Sequence, residues 1–205
     1  MENKQLFWDR VAGVYDVFVH VINAKTHKAL QKEVASLICP FDSVLECACG
    51  TGLLTKVIAP RCRKLIATDF SKKMVQKTKA KCRNYSNVYY MVADMNKLNF
   101  QDGVFDKVIA GNVIHLLDNP YHALQELDRI CVPGGQIIVP TYMNKPSNNW
   151  KNKLIKLYGK MGAGFKQKFT FSTYQKFIRD AGHPEAQFIR VDGFIPCSIA
   201  VIEKK

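Results

Sequence analysis

Apolar residues along the chain follow two alternating patterns. Short uninterrupted apolar runs are typical of strands buried on both faces, whereas apolar positions that recur every three or four residues are typical of amphipathic helices. Five apolar runs are predicted as strands: 43–47, 64–69, 87–94, 104–111 and 136–142. Helical patterns lie between them. Because parallel strands require crossover connections, this alternation predicts an α/β fold with a doubly wound, mostly parallel sheet.

The segments outside these five strands have patterns of their own. Two amphipathic helices are predicted before the first strand, over 11–22 and 27–37. A turn is predicted at Pro133 to Gly135, just before the fifth strand. Near the C-terminus, a helix is predicted to begin with a capping box at Ser172 to Gln175 and to end at Gly182. Two further strands follow, close enough in sequence to pair as antiparallel neighbours.

The sequence contains no internal repeat and no low-complexity linker, so residues 1–205 are predicted to form a single domain. The predicted parts are N-terminal helices over 1–42, a core over 43–142, a basic aromatic lid over 147–169, and a C-terminal helix and strand pair over 170–205.

Composition narrows the class of protein. Hydrophobic residues make up 47% and charged residues 23%, which is typical of a soluble globular protein. No apolar run reaches the length of a membrane span, and the polar opening segment does not resemble a secretory signal. The seven cysteines are scattered and odd in number, which favours reduced thiols. These features predict a cytoplasmic protein.

The net charge of +13 leaves two interpretations open. It could attract anionic partners such as nucleic acid, an anionic membrane surface or an acidic small molecule. It could also be a solvated surface that keeps the protein soluble, because the basic residues are spread along the chain.

The stretch "VLECACGTGLLT" at 44–55 places a bare turn between a strand and a helix. Gly50 and Gly52 let the backbone approach a ligand without a side chain in the way. Asp69 and Asp94 end the second and third predicted strands, at the edge where ligands bind in doubly wound sheets. One acid is placed to accept hydrogen bonds from ribose hydroxyls and the other from the amine of adenine. Together they predict an adenosine pocket.

These segments resemble the class I S-adenosylmethionine-dependent methyltransferases, in particular the small-molecule branch that includes the ubiquinone/menaquinone C-methyltransferases. The resemblance runs from about Phe7 to the last strand. It depends on the motifs "FWDRVAGVYD", "VLECACGTG", "LIATDFSKKMV", "VADMNKLNF", "FDKVIAGNVIHLL" and "ALQELDRICVPGGQIIVPTY". It implies a seven-stranded Rossmann-like methyltransferase sheet with an antiparallel C-terminal strand and S-adenosyl-L-methionine as the cofactor.

The resemblance also implies a set of cofactor-binding residues: Tyr15, Glu46, Gly50, Thr51, Gly52, Asp69, Phe70, Asp94, Met95 and Asn112. Glu46, Gly50, Thr51 and Gly52 would cradle the methionine part and the ribose. Asp69 would hold the ribose hydroxyls, with Phe70 beside the adenine. Asp94 and its neighbour would bind and cover the adenine, and Asn112 would contact the amino-acid end. Tyr15 would close over the site from the N-terminal helices.

Ala48 departs from the family pattern, which usually has glycine at that position. The turn accommodates the extra methyl group if φ at Ala48 is negative, with a modest loss of cofactor affinity. A dinucleotide-binding oxidoreductase is disfavoured, because Thr55 stands where its glycine motif requires Gly or Ala. Cys47 and Cys49 have no second Cys/His pair nearby, so no metal site is predicted.

His115 is the candidate catalytic residue, since it follows the fourth strand and a histidine can accept a proton near neutral pH. The alternative is a histidine packed under the loop. Tyr142 and Tyr15 are lesser candidates for orienting the acceptor. The lysines and aromatic residues of the lid predict either a cover for an anionic or aromatic substrate, a weak contact with anionic membranes, or a plain surface helix.

Three classes of function stay open. A methyltransferase that acts on a small molecule (a quinone, a lipid or another metabolite) is favoured. An RNA methyltransferase fits the charge, but the sequence has neither an appended RNA-binding module nor an N-P-P-Y or D-P-P-Y motif, so no stable nucleic-acid partner is expected. A non-catalytic cofactor-binding protein is the third class, and Ala48 gives it slight support.

Overall fold

The computed structural model describes residue 9, residues 23–144 and residues 166–205. The first predicted helix, over 11–22, lies outside the described residues. So do Tyr15 and most of the predicted lid, of which residues 166–169 are described.

The described elements alternate in the predicted way. The helices are α1 Ala24–Ser36, α2 Thr55–Ile58, α3 Lys72–Lys81, α4 Pro120–Ile130 and α5 Phe171–Asp180, with 3-10 turns at Ala59–Arg61 and Ile114–Leu116. The strands are β1 Ser43–Cys47, β2 Lys64–Asp69, β3 Val88–Val92, β4 Phe105–Ala110, β5 Cys131–Tyr142, β6 Gln187–Val191 and β7 Cys197–Glu203.

All seven strands form one sheet in the order β3-β2-β1-β4-β5-β7-β6. Strands β1 to β5 pair in parallel, β7 runs antiparallel to β5, and β6 pairs antiparallel with β7. The predicted seven-stranded, mostly parallel sheet with an antiparallel C-terminal strand is therefore confirmed. The chain order reverses at β1, which lies between β2 and β4, and ligands bind beyond the carboxyl ends of strands at such a switch point.

Apolar side chains fill both faces of the sheet. One cluster packs α4 and α5 against it through residues such as Leu124, Leu127 and Tyr174. The other packs α1 and α2 through residues such as Leu30 and Ile58. The buried hydroxyl of Tyr174 donates a hydrogen bond to the carbonyl oxygen of Val139 at 2.7 Å, which fixes α5 against β5.

Helix starts follow local chemistry. The Ser71 hydroxyl accepts a hydrogen bond from the Met74 amide at 3.1 Å, which caps α3 as predicted. Asn119 caps α4 with Pro120 in its first turn, also as predicted. The capping box of α5 was predicted at Ser172 to Gln175, and this is wrong. Thr170 is the N-cap and exchanges hydrogen bonds with Thr173, so the helix begins at Phe171.

Two strand boundaries also differ from the prediction. The third strand ends at Val92 rather than Asp94. The chain turns after Asp94, where the Lys97 amide donates a hydrogen bond to the Asp94 carbonyl oxygen at 3.0 Å. The fifth strand begins at Cys131 rather than after a turn at Pro133 to Gly135. Gly134 adopts a φ of +76°, and its amide donates a hydrogen bond to the Lys204 carbonyl oxygen at 2.8 Å. Residues 133–135 are therefore an irregular part of β5 near its start.

Among the described residues, no helix is both long enough and apolar enough to cross a membrane.

Candidate cofactor-binding site

The turn after β1 is shaped by backbone hydrogen bonds. The Cys49 amide donates to the Thr68 carbonyl oxygen at 2.8 Å, and the Gly52 amide donates to the Cys49 carbonyl oxygen at 2.9 Å. Gly50 and Gly52 have φ values of +56° and +82°, which glycine adopts without strain. A Cβ on Gly52 would lie 3.2 Å from Cγ2 of Thr78 on α3, so glycine also lets the helix pack closely.

Ala48 adopts a φ of +55°, so the condition of a negative φ, under which the turn accommodates the extra methyl group, is not met. The turn needs the left-handed conformation at this position. This need explains why the family that the chain resembles usually has glycine there. An alanine held there carries a strain of about 1–2 kcal/mol, because its Cβ crowds the following carbonyl group. The chain keeps the shape of the turn at a cost in stability.

Asp69 connects the two loops that follow β1 and β2. Its Oδ2 accepts a hydrogen bond from the Gly50 amide at 2.9 Å, and its Oδ1 accepts one from the Ser71 amide at 2.8 Å. The side chain is 9% exposed. Burial raises the pKa of Asp69 to about 6, although the backbone amides favour the ionised form. The carboxylate is therefore mostly ionised at neutral pH.

Glu46 lies beneath the turn and is fully buried. Its Oε2 accepts a hydrogen bond from the Thr55 hydroxyl at 2.6 Å. Burial, with a smaller contribution from the charge of Asp69, raises the pKa of Glu46 to about 8. The carboxyl group is therefore mostly protonated at neutral pH and holds the start of α2.

Asp94 belongs to the loop after β3 and is half-buried. Its Oδ1 accepts hydrogen bonds from both the backbone amide and the side-chain amide of Asn96, at 2.9 and 2.8 Å. The same loop is held farther along by Arg129, which donates to the carbonyl oxygens of Leu98 and Phe100 at 2.9 and 2.8 Å. Asp94 is thus held through one carboxylate oxygen.

A cavity of about 560 Å³ lies at the carboxyl edge of the sheet, where these loops meet. Its lining includes Ala48 and Gly50 from the first turn, the carboxylates Asp69 and Asp94, and Asn112 after β4. A ligand in this cavity would therefore meet a glycine-rich turn and two acids, one at the end of β2 and one in the loop after β3.

Asn112 is the second non-glycine residue with a positive φ, +51°, among the described residues. Its amide donates to the Pro140 carbonyl oxygen at 3.0 Å. Its side-chain Oδ1 lies 3.6 Å from the Sγ of Cys197, which donates a weak hydrogen bond to it. This contact orients the side-chain amide at the edge of the cavity.

His115 lies behind the cavity lining and is 2% exposed. Its ring packs edge-on against Tyr142, with 5.7 Å between ring centroids, and the Tyr142 hydroxyl lies 2.7 Å from Nε2 of His27. Burial lowers the pKa of His115 to about 3, so the imidazole is neutral at physiological pH. The His115 carbonyl oxygen accepts hydrogen bonds from the backbone amides of Lys166 and Gln167, each with an N–O distance of 3.0 Å.

Cys47 and Cys49 are buried beside the turn. Burial raises the pKa of the Cys47 thiol to about 12 and that of Cys49 well above its usual value, which disfavours the thiolates that bind metals. Within the part of the chain that the structure describes, no group of three or more His, Cys, Asp or Glu side chains is placed to hold a metal ion.

Comparison with known proteins agrees with this geometry. Residues 45–139 match a family model described as a methyltransferase domain. Over 210 residues the chain is 26% identical to the ubiquinone/menaquinone biosynthesis C-methyltransferase UbiE of Hydrogenovibrio crunogenus, with 90% of this chain and 83% of that protein aligned. The sequence of residues 45–139 is thus similar to methyltransferase domains, and the chain resembles the class I S-adenosylmethionine-dependent methyltransferases.

A second relative is the demethylmenaquinone methyltransferase of Bacillus cereus, which is 30% identical over 138 residues. The match spans 64% of this chain and 58% of that protein, which is less than two thirds of its length. Among solved structures, a methyltransferase from Thermotoga maritima superposes with a TM-score of 0.73 at 18% identity, covering 98% of this chain and 100% of its own. That likeness concerns the fold.

Most residues predicted for the cofactor meet at the cavity of this domain. The lining contains Gly50, Asp69, Phe70, Asp94, Met95 and Asn112. Glu46, Thr51 and Gly52 are predicted site residues that do not line it. They are buried under the turn and support its shape. Tyr15 lies outside the described residues.

Sequence reasoning missed several residues that line the cavity: Met74, Ala93, Asn96, Gly111, Val113, Leu116, Leu117, Asp118, Asn119 and His122. Asn96 lines the cavity beside Asp94. A further residue that sequence reasoning missed is Asp9, which accepts hydrogen bonds from the Ser71 hydroxyl and from the Lys73 amide, the latter at 3.3 Å, and so lies against the start of α3. Its position in the motif "FWDRVAGVYD" was the available signal, but no local pattern reveals its distant partner.

Proposed function

We propose that the protein binds S-adenosylmethionine in the cavity and transfers its methyl group to a small-molecule acceptor of the quinol type. The observation that carries the proposal is the convergence of the Gly50 turn, Asp69 and Asp94 on one cavity at the switch point of the sheet. The quinone-related activities named for two relatives suggest the acceptor class.

The chemistry of the lining fits this cofactor. Both oxygens of Asp69 already accept a backbone amide, but each carboxylate oxygen has a second acceptor site for a ribose hydroxyl. Phe70 and Met95 supply apolar surface for an adenine ring. The glycine turn lets the chain approach without side chains. We infer that Asn112 holds the amino-acid end of the cofactor.

The chain has a limited chemical task, since the cofactor supplies an already activated methyl group. The protein must align an acceptor with that group and exclude water, and such alignment is worth about 7–11 kcal/mol in favourable cases. The Asn144 amide donates to the Phe169 carbonyl oxygen at 2.6 Å, so residue 144 lies beside residues 166–169 at the end of the predicted lid, near the turn that holds His115. This proximity supports a role for the lid on the acceptor side.

The role of His115 as general base stays a prediction. A neutral imidazole can accept a proton, but a pKa near 3 makes His115 a weak base in the described state. If His115 acts as the base, His115→Gln should lower kcat at least tenfold and leave the Kd of S-adenosylhomocysteine nearly unchanged. A fall in melting temperature with unchanged kcat would instead indicate a packing role.

Two measurements test the proposed function. Titration calorimetry should detect saturable binding of S-adenosylmethionine and S-adenosylhomocysteine to the wild type. Asp192→Asn is the control for the variants of Asp69 and Asp94, because it removes an exposed acid that pairs with Arg190. It should bind both ligands as well as the wild type does. Absence of binding at millimolar ligand would contradict the proposal.

The second measurement offers methyl-labelled cofactor with a short-chain naphthoquinol, a catechol, phosphatidylethanolamine and mixed RNA, and identifies products by mass. Labelled quinol is the expected product. Labelled RNA would support the alternative that the basic charge suggested, and cofactor binding without transfer would leave a non-catalytic binding protein. The location in the cytoplasm stays a prediction.

A further inference from the structure

Asn96 makes an uncommon pair of contacts with Asp94. Its backbone amide and its side-chain Nδ2 both donate to the same oxygen, Oδ1, at 2.9 and 2.8 Å. Among the described residues, no hydrogen bond reaches the other oxygen, Oδ2. Both residues line the cavity. The loop therefore occupies one carboxylate oxygen and leaves the second as the acceptor available to a ligand.

The backbone around this pair is fixed from both sides. Before it, the Ala93 amide donates to the Asp69 carbonyl oxygen at 3.0 Å. After it, the Leu98 amide donates to Oε2 of Glu126 at 3.1 Å, and Arg129 holds the Leu98 carbonyl oxygen. With the backbone held, the backbone amide and the side-chain amide of Asn96 together set the rotamer of Asp94, and only the side-chain contribution depends on the residue type.

The choice of asparagine matters chemically. Nδ2 is a neutral donor, so it binds the carboxylate without cancelling its charge. An aspartate of the same shape would place an acceptor against Oδ1 and repel it. The charge left on Oδ2 favours a donor on the ligand, such as an exocyclic amine, and opposes a carbonyl oxygen at the same place.

We propose that Asn96 is a positioning residue that orients Asp94 so that the cavity selects a 6-aminopurine nucleoside over its 6-oxo counterpart. This inference rests on the proposed function, because it assumes that the adenosine of the cofactor occupies this end of the cavity. It adds a specificity role to Asn96, which was not among the cofactor-binding residues predicted from the sequence.

The test compares two ligands that differ at one position of the base, S-adenosylhomocysteine and S-inosylhomocysteine. Their Kd values are measured by calorimetry with the wild type, Asn96→Asp and Asn96→Ser. The matched control is Asn99→Asp, which adds the same charge to the same loop at an exposed position. Melting temperatures show whether each variant folds.

The wild type should prefer S-adenosylhomocysteine by at least tenfold. Asn96→Asp should weaken that ligand about tenfold, which corresponds to one charge-assisted hydrogen bond, and change the affinity for S-inosylhomocysteine far less. Asn96→Ser, which keeps a short donor, should recover part of the preference. Asn99→Asp should leave the preference unchanged.

Equal loss of both ligands in Asn96→Asp, or the same loss in Asn99→Asp, would overturn the proposal, because the effect would then come from charge or folding. A wild type that binds both ligands equally would also overturn it while the proposed function stands. A wild type that binds neither would overturn the proposed function and this inference together.

Discussion

Asp69 and Asp94 follow neighbouring parallel strands and line the same cavity, but the fold holds them differently. Asp69 is nearly buried and accepts one backbone amide on each oxygen, from Gly50 and Ser71. Asp94 is half-buried and is held through one oxygen by Asn96. The first carboxylate is therefore part of the frame of the site, and the second, which we propose contacts the ligand, lies in a loop.

The difference shows how one chemical group serves two purposes. A buried acid that connects two loops contributes to both folding and ligand binding, so its loss affects both. An acid with an unbonded oxygen contributes mainly to binding. Variants that remove the charge of each acid should separate these contributions.

The largest effect is expected for Asp69→Asn. The ribose hydroxyls would lose a charged acceptor, which lowers the affinity for S-adenosylhomocysteine about 100-fold. One of the two backbone amides would also face an amide N–H instead of an oxygen, at a cost of about 1–3 kcal/mol, partly offset because a desolvated charge is removed. Calorimetry and urea unfolding measure the two effects. Unchanged affinity would contradict the proposed contact between Asp69 and the ribose hydroxyls.

Glu46 extends the comparison to an acid that is entirely buried. Its pKa rises from 4.5 to about 8 on folding, so the folded state holds the proton more tightly and stability falls as pH rises through that window. Between pH 6.5 and 8.5 the loss should be about 2 kcal/mol. This range lies above the window of Asp69, and the window of His115, between about 3 and 6.5, overlaps only its lower edge. Urea unfolding of the unliganded protein at both pH values measures it.

Glu46→Gln is the matching variant, because it keeps the shape of the side chain and removes its titration. Its stability should change less than that of the wild type over the same pH interval. Parallel pH curves for the two proteins would show that Glu46 is ionised throughout and would contradict the effect of burial on its pKa.

Asp94→Asn should have a smaller and narrower effect. The affinity for S-adenosylhomocysteine should fall about tenfold, because an adenine amine would lose a charged acceptor. The unfolding free energy should change by less than about 0.5 kcal/mol, as expected for a half-exposed loop position. A loss of stability equal to that of Asp69→Asn would remove the distinction between the two acids.

The smallest effect concerns the turn that Asp69 holds. Ala48→Gly relieves the left-handed conformation at φ +55° and should stabilise the protein by about 1 kcal/mol or less, since glycine also loses more entropy on folding. The control Ala186→Gly, at a position without a positive φ, should destabilise it. Thermal unfolding compares the two. A destabilised Ala48→Gly would show that the methyl group has packing contacts that outweigh the strain.

Much of the site could be predicted from sequence because its signals are local. Each of these signals can be recognised from a few neighbouring residues. They are the apolar run that ends in Cys47, the two glycines after it, and the acids Asp69 and Asp94 near strand ends. The spacing of apolar residues predicts which segments are strands and which are helices. Glycine indicates a turn whose backbone needs a positive φ.

Other features depend on contacts between distant parts of the chain. The strand order β3-β2-β1-β4-β5-β7-β6 is a result of packing, and so is the burial of His115, whose pKa falls to about 3. The positive φ of Ala48 is imposed by a turn that bonds to β2 and to Asp69. Sequence pattern determined which chemical groups reach the carboxyl edge, because period and turn chemistry are local. Only the tertiary structure decided which of them are buried, bonded or open to a ligand, because desolvation and long-range hydrogen bonds depend on what the rest of the chain packs against them.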